Sequence, residues 1–90
     1  MKRYYILFKG QVQGVGFRST LAHLAKTYCL TGYCRNLFDG NVEAEVKGDE
    51  KDIDSLLALI LKNQGFIRVD DYHLKRIDII DNEKFFRILY

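Results

Sequence analysis

The order in which the hydrophobic period changes along this chain restricts its fold more than any other feature. Over residues 4–12 the pattern is that of a strand, with Tyr4, Ile6, Phe8 and Val12 on one face. Tyr5 and Leu7 on the other face are apolar too, which suits a strand with neighbours on both sides. Gln13-Gly14-Val15-Gly16 must then be a loop, because two glycines in three residues break either regular element. Beyond it the period lengthens. Phe17, Leu21, Leu24, Ala25 and Tyr28 recur at helical spacing and form one apolar stripe. Ser19 is expected to cap this helix and Gly32 to stop it.

Residues 33–37 and 41–47 return to the strand period, with Val42, Ala44 and Val46 facing in and Glu43, Glu45 and Lys47 facing out. Asp39-Gly40 between them signals a hairpin. A loop of Phe38, Asp39 and Gly40, with Gly40 left-handed, sets Cys34 opposite Ala44 and Asn36 opposite Val42. Asp49 is the expected cap of a second helix, with Glu50 and Asp52 in its first turn. Its buried stripe is Ile53, Leu56, Leu57, Ile60 and Leu61, and Gly65 is its expected end. Residues 66–80 hold a fourth strand, 81–83 turn the chain, and 85–90 read as a short final strand. The order β-α-β-β-α-β, with a last strand appended, predicts one α+β domain over residues 1–90. It is a ferredoxin-like split β-α-β sandwich, with two helices on one face of a mostly antiparallel sheet. That fold hosts many unrelated functions and settles none of them.

Composition removes several classes. Fourteen basic and twelve acidic residues leave a net charge of +2, too balanced for a nucleic-acid protein. No apolar run approaches the roughly 18 residues of a membrane span. The basic start and Tyr4-Tyr5-Ile6-Leu7-Phe8 are too short for a signal peptide. Two cysteines make no disulfide framework, so the expectation is a cytoplasmic protein with reduced thiols. Cys29 and Cys34 lack zinc-site spacing and are expected to be small buried hydrophobes.

The segment with most chemical content is Gly10-Gln11-Val12-Gln13-Gly14-Val15-Gly16-Phe17-Arg18. A strand ends, glycines turn the chain and a helix begins. Consecutive backbone N–H groups of Gln13, Gly14, Val15, Gly16, Phe17 and Arg18 can curl round one anion as a nest. The helix N-terminus adds its partial positive charge. Arg18 supplies a planar, permanently charged fork for phosphate oxygens. The plainer alternative is a tight turn with a surface arginine, and spacing alone does not separate the two. The loop is neither G-x-x-x-x-G-K-[ST] nor G-x-G-x-x-G, since Ser19 stands where the third glycine would be.

That loop, followed by Leu30-Thr31-Gly32-Tyr33-Cys34-Arg35-Asn36 and Asp39-Gly40-Asn41-Val42-Glu43, resembles the acylphosphatase family. The likeness returns at Phe86-Arg87-Ile88-Leu89-Tyr90 and so covers nearly the whole chain. It implies a hydrolase of acid anhydrides that splits acyl phosphates into carboxylate and inorganic phosphate. Arg18 would bind the phosphoryl group, Asn36 would position the attacking water, and the amides from Gln13 to Arg18 would cradle the phosphate. The resemblance implies no metal and no organic cofactor. The expected partners are a small acyl phosphate and the inhibitory product phosphate, with no nucleic acid, no membrane and a monomeric state. Three positions depart from the family's habit: Tyr33 where Trp is usual, Phe66 where Pro often follows the glycine, and Leu89 where a basic residue is frequent.

The residues support the Arg18–Asn36 pairing on their own account. A helix of about 12 residues descends roughly 18 Å, and the next strand climbs back at about 3.3 Å per residue. Asn36 therefore returns most of the way to the loop, on the face that carries Cys34. A polar residue on an apolar face breaks a local rule, as sites often do; an asparagine merely ending a strand is the alternative. No Ser/His/Asp or Cys/His arrangement lies near the loop. Without a general acid, only a good leaving group departs readily, and a carboxylate, whose acid has a pKa near about 4, is one.

Other candidates are weaker. His23 lies off the apolar stripe and His73 sits in an ill-defined strand, so both are expected at the surface. Asp70 and Asp71 are neighbours on a strand and point to opposite faces. Lys2, Arg3, Lys9 and Arg35 with Tyr4 and Tyr5 suggest an RNA-binding sheet, but the signature of such sheets is absent. A further alternative is a carbamoyl-phosphate-handling module like the N-terminal part of hydrogenase-maturation carbamoyltransferases, whose additional domains are not expected in 90 residues.

Overall fold

The computed structural model describes residues 1–90. The apolar alternation at the start builds β1 (Lys2–Gln11), and the helical stripe builds α1 (Phe17–Thr27). The hairpin follows as β2 (Thr31–Asn36) and β3 (Val42–Gly48), then α2 (Glu50–Ile60), β4 (Arg68–Ile77) and β5 (Phe86–Leu89). One sheet runs β4-β1-β3-β2-β5. Its first three contacts are antiparallel and only β5 pairs in parallel, along β2. This is the expected ferredoxin-like α+β arrangement, extended by a fifth strand at the β2 edge. No helix is long and apolar enough to cross a membrane.

The core lies between the helices and the inner sheet face. Ile6, Phe8, Cys34, Val42, Ala44 and Val46 meet Phe17, Leu21, Ala25, Ile53, Leu56 and Ile60 there. The hairpin adopts the expected register, with Cys34 opposite Ala44 and Asn36 opposite Val42. Leu37 N–H donates to the Asn41 carbonyl at 2.9 Å and closes the loop, with Gly40 at φ 93°.

The outer sheet face has no second layer and is covered by charge pairing. Glu43, buried in β3, accepts from Tyr5 Oη at 2.9 Å, Tyr33 Oη at 3.1 Å and Arg35 at 2.5 Å. Buried Arg3 pairs with Glu45 and, at 3.0 Å, with Glu83 from the β4–β5 connection. Desolvation and the two neighbouring carboxylates push the Tyr33 phenol well above its ordinary range. Two of the cations that suggested an RNA-binding sheet, Arg3 and Arg35, are thus neutralised, and Tyr5 is tied down beside them. Tyr4 is on the opposite face, bonded to Glu50.

Several boundaries differ from the expectation, each for a local reason. Helix α1 starts at Phe17 because Gly16, at φ 79°, turns the chain directly into it; Ser19 sits in the first turn instead of capping it. The helix ends in a Schellman closure, not at Gly32. Leu30 N–H reaches the Ala25 carbonyl at 2.8 Å and Cys29 N–H the Lys26 carbonyl at 3.1 Å, with Cys29 left-handed at φ 56°. Cys29 is therefore exposed on a turn, against the expectation of burial, while Cys34 is buried. Asp49 does occupy the cap position of α2, but its side chain makes no capping bond. Glu50 instead binds Lys2 at 2.6 Å and fastens the helix start to β1. Helix α2 stops at Ile60, before Gly65, because the chain leaves it through left-handed Asn63. β4 is shorter than residues 66–80, and a bulge at Lys9/Gly10 shifts its register. His23 and His73 are exposed, as expected.

Gly32 has a different task. It lies in β2 at φ 138°, and a Cβ there would collide with the Glu45 carbonyl of β3. Gly32→Ala is therefore expected to destabilise by about 2 kcal/mol or more and to lower Tm by roughly 10 °C, read by thermal circular dichroism. An unchanged Tm would show that the strands can part there without cost.

Candidate active site

The loop between β1 and α1 is shaped by two left-handed glycines, Gly14 at φ 73° and Gly16 at φ 79°. Alternation of hand along a backbone turns successive N–H groups to one side. From Gln13 through Ser19, no backbone N–H donates to any acceptor in the protein; the first helical bond runs from Thr20 N–H to the Gly16 carbonyl at 3.0 Å. Those of Phe17, Arg18 and Ser19 are the unpaired donors that any helix start leaves, and the loop adds those of Gln13, Gly14, Val15 and Gly16. Here they stand together at a helix N-terminus, where the positive end of the dipole lies.

Two anchors hold this loop. Phe17 is buried and packs edge-on against Phe8 of β1, ring centroids 5.0 Å apart. The Gln13 carboxamide donates to the Leu37 carbonyl at 2.7 Å and the Asn41 carbonyl at 2.8 Å, the two residues that bracket the hairpin loop. Gln13 was expected only to contribute its backbone amide. Its side chain ties the loop to the β2–β3 turn, a contact across 24 and 28 residues of sequence that local patterning does not reveal.

Arg18 occupies the second helical position, half-buried, and has no carboxylate at ion-pair distance, unlike Arg3, Arg35 and Arg68. Its guanidinium lies over the Tyr90 ring, 5.1 Å from the centroid. Gly14, Gly16, Phe17, Arg18, Ile88 and Tyr90 line a cavity of about 110 Å³. That is well below the roughly 300–1,000 Å³ of organic-ligand pockets and suits a small anion. Larger spaces exist elsewhere, the largest about 600 Å³ at the far end of α1 between Lys26 and Lys84, but none touches the loop. The role of Ile88 and Tyr90 escaped sequence reasoning, because nothing in residues 85–90 reveals that their strand pairs in parallel beside β2.

Asn36 ends β2 on the core face. Two residues before it, Cys34 Sγ lies 3.9 Å from the Arg18 carbonyl; one residue after it, Leu37 accepts from Gln13. The site loop thus touches the chain on both sides of Asn36. The Asn36 side chain does not line the small cavity, and neither does that of Val15, which packs partly against the core. Asn36 Oδ1 is buried with no hydrogen-bond donor in the protein, so it is an acceptor in reserve beside the loop. Burial raises the Cys34 thiol to about 11, with the Arg18 charge opposing. It is therefore a neutral packing group at ordinary pH and not a nucleophile. No group of three or more His, Cys, Asp or Glu stands together in metal-holding geometry.

Comparison with known proteins agrees with this geometry. The acylphosphatase family model matches residues 4–88. The chain is 46% identical over 90 residues to an acylphosphatase of Clostridium acetobutylicum, covering all of this chain and 99% of that one. The crystal structure of acylphosphatase from Bacillus subtilis superposes with a TM-score of 0.94 at 31% identity, each chain wholly covered. The crystal structure of T. kodakarensis HypF superposes with a TM-score of 0.86 at 34% identity, covering all of this chain and 12% of that one. Full-length matches in sequence and structure, on a chain whose loop leaves its donors free beside an unpaired arginine, make this protein a member of the acylphosphatase family.

Proposed function

We propose that this chain hydrolyses acyl phosphates by direct attack of water on a phosphoryl group held by Arg18 and the amides of Gln13, Gly14, Val15, Gly16, Phe17 and Arg18. The unbroken run of unpaired N–H groups from Gln13 to Ser19, next to an arginine without a carboxylate, carries the proposal. Those donors match the three outer oxygens of a transferring phosphoryl group, where charge is spread in the transition state. Asn36 Oδ1, buried and free, accepts a hydrogen bond from the attacking water and aims its lone pair at phosphorus. The P–O bond to the acyl oxygen breaks, and the carboxylate leaves with the electron pair and needs no proton. The water proton passes to a phosphate oxygen of the substrate. No carboxylic acid or imidazole lines the cavity to protonate an alkoxide, which favours anhydrides over alkyl esters. The mechanism as proposed asks for no metal. All these groups come from one chain, so one copy carries a whole site. Exposed, unpaired Cys29 suits the reducing cytoplasm.

The direct test is phosphate release from benzoyl, acetyl and carbamoyl phosphate against an alkyl phosphate, with and without chelator. Fast release from the anhydrides alone, unaffected by chelation, is expected. Equal rates on the alkyl ester, or loss of activity restored only by a divalent ion, would sink the mechanism.

Inorganic phosphate should compete with substrate and raise Tm, since a ligand at 100 times its Kd stabilises by about 2.7 kcal/mol. Arg18→Ala should abolish both effects. A wild-type Tm indifferent to phosphate would mean that the loop is not the phosphate site.

Asn36→Ala should separate chemistry from binding. Turnover should fall by roughly two to three orders of magnitude, the scale for one preorganised polar group, while phosphate inhibition stays within a few-fold. Asn36→Asp should be at least as poor, because it sets a negative charge beside an anionic substrate. Steady-state kinetics on the folded variants decide the matter: near-normal turnover in Asn36→Ala removes the residue from the mechanism.

A further inference from the structure

β4 is the outer strand at one side of the sheet, paired only with β1, and none of its ten residues is buried. Its outer edge has no strand partner and so offers a template for another strand. Of its N–H groups, Val69 donates to Asn63 Oδ1 and Tyr72 to Asp71 Oδ1, each at 2.9 Å, and a facing strand would take the place of the Asp71 contact. Natural edges are usually blunted by charges, and β4 carries charges of both signs in a particular order.

Beyond the bulge at Lys9/Gly10 the strand is regular from Asp71 to Ile77. Asp71, His73 and Lys75 oppose Lys9, Leu7 and Tyr5 on the outer face, while Tyr72 and Leu74 oppose Phe8 and Ile6 on the helix face. Suppose that a second copy pairs antiparallel about a two-fold axis through His73. Asp71 then faces the partner's Lys75, Tyr72 the partner's Leu74, and His73 the partner's His73. The ion pair and the apolar pair each occur twice, because the axis repeats them. Opposite residues of an antiparallel pair must share a face, so the centre can move only by a whole residue. Centring on Tyr72 replaces the ion pairs with Asp71 facing His73 and sets Asp70 against Leu74. Centring on Leu74 sets His73 against Lys75 and Asp71 against Ile77. Only the His73 register answers each charge with its opposite and each apolar side chain with another.

The half-exposed side chains fit the same register. Tyr72 and Leu74 are 40% and 46% exposed, beside the fully buried Phe8 and Ile6 to which they are paired. A facing copy would continue that apolar row across the axis. Asp71 and Lys75 make no ion pair with a lysine, arginine or carboxylate of their own chain; Asp71 Oδ2 lies 3.5 Å from His73 and its Oδ1 accepts from the Tyr72 N–H at 2.9 Å.

We propose that the β4 edge is a self-recognition surface, on which two copies of this chain join their sheets in the His73-centred register. Two five-stranded sheets would become one of ten strands. One strand pair is a small interface, so the association is weak and reversible, and its ion pairs make it sensitive to salt. The catalytic loop lies at the ends of other elements and stays open in the pair. The proposal does not depend on the reading of that loop.

The test is a charge swap followed by sedimentation equilibrium up to millimolar protein at low salt, on variants whose fold and phosphatase activity are verified. The wild type should show a monomer–dimer equilibrium that added salt weakens. Asp71→Lys and Lys75→Asp each set like charges opposite one another, so each alone should weaken association about tenfold or more, a loss of about 1.4 kcal/mol. The double swap, Asp71→Lys with Lys75→Asp, restores opposite charges and should restore dimerisation. As a second readout, amide exchange within residues 71–75 should slow as wild-type concentration rises. A wild type that stays monomeric at millimolar concentration, a dimer indifferent to the single swaps, or a double swap no better than the singles would each overturn the proposal.

Discussion

The structure turns on a set of hydrogen bonds left unmade. Seven successive residues, Gln13 through Ser19, keep their backbone N–H groups free of any protein acceptor. Away from the open edges of the sheet, the chain pairs much of its backbone in helices, in the sheet, or in closures such as the Schellman turn after α1. Free donors cost stability unless water or a ligand answers them, so a chain that keeps them must hold the loop open from outside. Phe17 does this by entering the core against Phe8, and Gln13 by bonding two hairpin carbonyls. The two left-handed glycines then need only supply the change of hand. Rigidity comes from the neighbours, while Gly14 and Gly16 themselves would meet nothing if given a Cβ and are exposed to whatever binds.

Much of this was legible from residues alone, and what was not has a physical pattern. Strand and helix periods, the hairpin register and the fold class depend on short-range apolar spacing, and they appear in the structure as read. The loop was legible because glycine leaves a mark in sequence. Errors gathered where one residue could serve two ends. Gly32 looked like a helix stop, but left-handed Cys29 closes α1 and Gly32 lets β2 and β3 approach. Ser19 and Asp49 looked like side-chain caps, yet neither makes that bond. The contacts that frame the site were invisible for a different reason. Gln13 to the hairpin, and Arg18 to Tyr90, join residues 24 or more apart. A single sequence without its topology cannot say that β5 lies beside β2.

The two faces of the sheet solve opposite problems. On the helix face, burial of apolar side chains excludes water and leaves one odd polar group, the Asn36 oxygen, near the site. On the outer face no layer excludes water, and stability comes from pairing Arg3, Arg35, Tyr5 and Tyr33 with Glu43, Glu45 and Glu83. Removing one partner from such a network leaves a half-buried charge uncompensated, which costs more than the pair contributes. The strands are thereby locked in register from the side away from the chemistry. That lock reaches the site indirectly, because β2 carries Asn36 at its end and β3 carries the far side of the hairpin that Gln13 grips.

On the proposed mechanism, substrate preference follows from what the loop lacks as much as from what it holds. Amides, a helix N-terminus and a guanidinium all stabilise negative charge, and none can give a proton to a departing oxygen at neutral pH. Such groups, in a cavity that no carboxylic acid or imidazole lines, would lower the barrier for the phosphoryl group and do little for a poor leaving group. The selection is then made by the leaving group's own basicity. A carboxylate departs without help, whereas an alkoxide, many pKa units more basic, does not. Adding a carboxylic acid beside the loop to assist the harder reaction would put an anion next to an anionic substrate and set Arg18 a competing partner. On that mechanism the field that would hold the phosphoryl group would also confine the chemistry to anhydrides, so that phosphate binding and narrow chemistry would be two consequences of one backbone geometry.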